Sequence, residues 1–169
     1  CAVPVAAQID GGSLKSSSRN APKYESSRST ESRMGFTGPE SSARPGVFFF
    51  DKAVDAFEKE QFAFAVEMYQ VAASWAYKPA EYNLSVMYAK GEGIPVDLPR
   101  AMAWAALAAE RGDSRYVRSR DEINVSLTSE QVVEANRILE FLAPKYADEA
   151  AMKKAGRRWR DVKRDITGS

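Results

Sequence analysis

Helices in pairs or a nucleotide cradle: the choice turns on GEGIPVDLPRAMAWAALAAERGD, Gly91 to Asp113. A dinucleotide-binding glycine fingerprint follows a strand and opens a helix with a third glycine, and a phosphate loop carries Gly-Lys-Ser or Gly-Lys-Thr. GEGIPVD has neither. Gly91 and Gly93 therefore read as the residues whose positive backbone angles let one helix leave and the next enter. Asp97 reads as the cap of the second helix, with Pro99 tolerated in its first turn. Within that helix Ala101, Trp104, Ala105, Ala108 and Gly112 share one face, while Ala103 and Ala106 leave the opposite face apolar too. A helix that is apolar all round is buried between neighbours.

Upstream, AVEMYQVAASWA superposes on AMAWAALAAERG at a spacing of 36 residues, placing Ala65 on Ala101, Ala72 on Ala108 and Ala73 on Ala109. Small residues at these positions let helices approach closely, and Met68 and Trp104 fill the same large slot, so the repeat is one of packing. From VFFFDKAVDAFEKEQ onward apolar residues recur three and four apart. This predicts helices at about 47 to 59, 61 to 76, 79 to 90, 97 to 111, 115 to 124, 128 to 142 and 147 to 164, and no strand. Thr128 with Gln131 makes a capping box. Pro144 is expected to end the sixth helix.

The run AEYNLSVMYAKGEGIPVDLPRAMAWAALAAERGD resembles the Sel-one-like repeat family, relatives of the tetratricopeptide repeats. Its pattern falls on Ala80, Leu84, Tyr88, Gly91, Gly93, Asp97, Ala101, Trp104, Ala108, Ala109 and Gly112. Ser85 stands where the family usually has glycine, and Ile94 where it has valine. The resemblance continues more weakly upstream through FAFAVEMYQVAASWAYK and is lost beyond Arg115. It implies an all-α fold, a short α-solenoid of antiparallel helix pairs with a divergent C-terminal helical cap. In that family the first helices line the concave binding surface. Tyr82 and Val86, on the side of their helix away from Ala80, Leu84 and Tyr88, are thereby the candidate protein-binding residues. The competing reading is burial against the preceding helix.

Composition narrows the chemistry. Histidine is absent, which removes the commonest general base, the Ser-His and Cys-His nucleophile pairs and histidine metal sites. The single cysteine cannot form an internal disulfide or a cysteine zinc site. No cofactor and no metal are implied. Lysine plus arginine is 24 against 23 acidic residues, so the net charge of +1 gives no general pull toward nucleic acid. Acidic pairs such as Glu58 with Glu60, or Asp121 with Glu122, are the only material for a carboxylate enzyme, and nothing in the sequence places them in a cleft.

Cys1, followed by the small apolar residues of CAVPVAA, resembles the start of a processed bacterial lipoprotein whose cysteine carries lipid. Ala2 beside it, in place of aspartate, favours the outer membrane by the same resemblance, the domain facing the periplasm. Residues 1 to 46 are crowded with serine, glycine and proline and are expected to form a flexible tether, leaving 47 to 169 as the helical-repeat domain. The tail KKAGRRWRDVKRD gathers seven basic residues around Trp159. A periplasmic location argues against nucleic acid; an Arg157–Asp161 pair would make the tail a solvated face, the remaining reading being contact with an anionic surface or partner. The functional expectation is a protein-binding scaffold or regulator tethered to the cell envelope. The alternative is an immunity-type inhibitor of a secreted toxic enzyme.

Overall fold

A computed structural model describes residues 44–168 of the chain. Cys1 and nearly all of the expected tether lie outside them. Among the described residues seven α-helices follow in chain order: α1 (Pro45–Glu58), α2 (Phe62–Ala73), α3 (Lys78–Lys90), α4 (Leu98–Ala108), α5 (Ser114–Ser126), α6 (Ser129–Tyr146) and α7 (Asp148–Thr167), with a 3-10 turn at Ala109–Arg111. No strand occurs among the described residues. Neighbouring helices pack in pairs, α1 on α2 and α3 on α4, as an all-α solenoid requires. The first helix starts two residues before the periodicity suggests, because Pro45 serves in its first turn and Gly46 lies against Tyr77. A Cβ added to Gly46 would stand 3.1 Å from the Cβ of Tyr77.

The central element is α4, which also meets α5 and α6. Its all-round apolar sequence explains that position: Ala101, Ala103, Trp104, Ala105, Leu107 and Ala108 are all buried. The alanines bring neighbouring backbones close. Trp104 fills the remaining space with its ring edge-on to Tyr146 of α6, the centroids 4.7 Å apart. Ala65, Ala72 and Ala73 of α2 are buried like their counterparts 36 residues on. The same register relates the last aligned pair, Ala76 and Gly112, which differ in residue type yet are both left-handed, at φ 52° and 73°.

Both glycines of the opening stretch turn the chain. Gly91, at φ 71°, closes α3 by donating its N–H to the Met87 carbonyl. Gly93, at φ 73°, lies directly beneath the Phe62 ring, where no Cβ fits. Asp97 then caps α4, accepting from the Arg100 N–H at 2.9 Å. Ser85 is fully buried, but its hydroxyl donates to the Tyr82 carbonyl at 2.7 Å, so its departure from glycine leaves no unsatisfied donor.

At the C-terminal end the capping box forms in both directions between Thr128 and Gln131. Pro144 does not end the helix. It sits inside α6, which runs on to Tyr146. A proline in the final turn removes only one backbone bond, and burial of Tyr146 against Trp104 favours continuing the helix.

Candidate functional site

Tyr82 and Val86 lie one turn apart on α3, and both are half-buried. Tyr82 stacks at a tilt on Tyr116 of α5, ring centroids 5.2 Å apart, and joins a small cluster with Ala108, Ala109 and Val117. Its cover comes from the following helix α5. Val86 has no place in that cluster and keeps part of its surface open. The two candidates are thus neighbours on one face but unequal, since Tyr82 already has a packing role.

Beside this face the start of α3 carries a charged centre. Pro79 and Glu81 fit the first turn of a helix, and Lys78 just ahead of them is only 5% exposed. The Lys78 ammonium donates to Glu81 Oε2 at 3.0 Å, Glu110 Oε2 at 2.6 Å and the Leu107 carbonyl at 2.8 Å, and lies 3.0 Å from Asp148 Oδ1. Arg111 grips Asp148 with two bonds, of 2.8 and 2.9 Å, and reaches the Ala76 carbonyl at 3.2 Å. Glu110 also accepts from the Asp148 N–H, the first of α7. One network ties the turn after α2, the start of α3, the end of α4 and the start of α7.

Three carboxylates here share two cations. Burial works to lower the Lys78 pKa, but Glu81, Glu110 and Asp148 outweigh it and raise it, so the ammonium stays charged. The hydrogen bond from Arg111 holds Asp148 below the usual range, while burial pushes Glu81 up to about 7 against the pull of Lys78. Glu81 Oε1 is buried without a hydrogen-bond partner. The carboxyl most ready to take a proton near neutral pH is therefore sealed at 0% exposure, out of reach of any substrate. Its role is to hold helices together. Sequence reasoning missed this centre; Lys78 and Glu81 have helical spacing, but Lys78 and Glu110 are 32 residues apart and nothing local announces their meeting.

A shallow groove of about 470 Å³ lies where the turn into α4 faces α6, lined by Tyr88, Val96, Leu98, Pro99 and Gln131 among others. Arg100 lies over the Tyr88 ring at 5.3 Å and bonds Asp97 at its edge. Glu58, Glu60, Asp121 and Glu122 are all exposed, and Asp121 bridges to its neighbour Arg120 at 2.7 Å. None of these carboxylates joins an enclosed site. In α7, Asp161 pairs with Arg164 at 2.9 Å in place of Arg157, the acid preceding the base as helix geometry favours. No helix among the described residues is long and apolar enough to cross a membrane.

No curated protein and no solved structure matches the chain. The stretch with the glycine turn, the buried Trp104 and the Lys78–Glu81 pair does match a known repeat, over one unit. Residues 78–113 are a Sel1 repeat, a module that generally mediates protein–protein interaction and is typically a non-catalytic scaffold.

Proposed function

We propose that the chain is an envelope-tethered adaptor that binds another protein through the outer face of α3, with Val86 and the part of Tyr82 that Tyr116 leaves open as contacts. One observation carries this reading. The interior of the Sel1 repeat is filled and its Lys78–Glu81 pair is buried, whereas Tyr82 and Val86 keep apolar surface partly in water. A partner that removes this surface from water gains binding energy without disturbing the fold. Cys1 as an acylated tether to the outer membrane, the domain facing the periplasm, belongs to the same proposal, and mass spectrometry of the mature N-terminus tests it. An inhibitor of a secreted toxic enzyme would use the same face, and the identity of the bound protein separates the two roles.

The test is a pull-down from envelope extracts with the wild-type chain and Val86→Asp. Val86 is outside the main core, so the variant is expected to keep its helical circular dichroism and to lose a partner that the wild type retains. Capture of the same proteins by both would remove the binding face from α3 and leave the groove at Val96 as the next place to look.

A further inference from the structure

The last helix carries an apolar stripe that nothing in the fold covers. Met152, Ala155, Trp159, Val162 and Ile166 recur three and four residues apart, which places them along one face of α7. All five are exposed, Met152 at 75%, Trp159 at 69% and Ile166 at 79%. The helix is held on a different side: Ala151 is buried, and Lys154 lies 3.8 Å from the Trp75 ring while donating to Ser74. Docking against the fold therefore fixes α7 without using the stripe.

Cations border the stripe on its open side: by helical spacing Arg160 and Lys163 lie along that edge, whereas Lys154 and Arg158, on the opposite edge, rest over the Trp75 ring at 3.8 and 5.5 Å. From Lys153 to Asp165 there are seven basic residues against two acidic ones. Burial, together with crowding by Lys145, Arg157 and Arg158, lowers the pKa of Lys154.

We propose that α7 lies on an anionic lipid surface, its apolar stripe in the headgroup boundary and Arg160 and Lys163, along its open edge, on the acidic headgroups. Charge complementarity selects this occupant. A second copy of α7 would bring cations against cations. Residues 1–43 hold five basic and four acidic residues, so they supply no excess negative charge. A coiled-coil partner is a poorer fit, because the spacing lasts only from Met152 to Ile166 and includes alanine and tryptophan, whereas a coiled coil needs about three to four heptads. A tryptophan among aliphatic residues, edged by lysine and arginine, is the composition of a helix lying in a membrane interface.

The test is co-sedimentation of the full 169-residue chain, produced without acylation, with vesicles of phosphatidylcholine alone or with about one third phosphatidylglycerol. Binding is expected to be at least about tenfold tighter to the anionic vesicles and to be lost at about 1 M salt, where charges are screened within about 3 Å. A Trp159→Ser/Ile166→Ser variant should keep its melting temperature, because both side chains are exposed, and should bind about tenfold or more weakly. Equal binding to the two vesicle types, or anionic binding that survives the double substitution, would overturn the proposal. So would self-association without lipid that the double substitution abolishes, which would assign the stripe to a second copy.

Discussion

Gly93 shows how one residue supports the reading of a whole stretch. It needs both a left-handed backbone at φ 73° and the absence of a side chain, since Phe62 occupies the space where a Cβ would point. Gly93→Ala is expected to destabilise by about 2–4 kcal/mol, combining the backbone penalty with overpacking. Gly112→Ala is the control, because Gly112 has the same φ with nothing within 4 Å of the added Cβ, and should cost only about 1–2 kcal/mol. Urea unfolding of the two variants isolates the contribution of Phe62. Ala76 is the converse case, a left-handed alanine at the position where the next unit has Gly112. Ala76→Gly should stabilise by up to about 1 kcal/mol, the relief of strain exceeding the extra freedom of the unfolded chain. An unchanged or lowered midpoint would show that Ala76 is not strained.

Among the helices, α4 governs the packing and the Lys78 network governs the docking. Trp104→Ala leaves a void against Tyr146 and is expected to cost about 3–5 kcal/mol, read as a large drop in the melting temperature by circular dichroism. The network carries a pH signature. Glu81 takes up its proton more readily in the folded chain, at about 7, than at its ordinary 4.5. The folded state therefore binds more protons between these values, and stability falls as pH rises from about 4.5 to about 7, by up to about 3 kcal/mol. Asp148, with its pKa lowered, acts in a separate window: its contribution is present above 3.8 and is lost at lower pH. Melting temperatures across pH 4.5 to 8 should decline for the wild type, and Glu81→Gln should remove most of that decline. An equal slope in the variant would assign the effect to other groups.

These elements also mark what was legible in the sequence. Among the described residues the number of helices and their order were readable because the 3.6-residue apolar period runs from α1 to α7, and the caps at Asp97 and Thr128 announce themselves within four residues. Contacts across the chain were not. For Tyr82 the competing reading was burial against the preceding helix, whereas Tyr116, which packs on it, lies on α5, where the repeat pattern has already lapsed. The Lys78 centre was hidden because its partners Glu110 and Asp148 come from different helical units. Pro144 misled because a proline is a strong local stop, and only the pairing of Tyr146 with Trp104 outweighs it.

Across the described residues apolar groups keep surface in water at several places, and two of these carry the proposed contacts, the α3 face at Val86 within the Sel1 repeat and the α7 stripe beyond it. In the proposed division, α3 meets a protein and α7 meets lipid, and each is removable by substitutions that spare the core. The decisive measurement for the protein-binding face is photo-crosslinking in living cells, with a photoreactive amino acid placed at Val86 and, as control, at the exposed Glu122 of α5. A discrete crosslinked protein from position 86 and none from 122 is the expected result. Crosslinks absent at 86, or identical from both positions, would contradict the assignment of function to the outer face of α3.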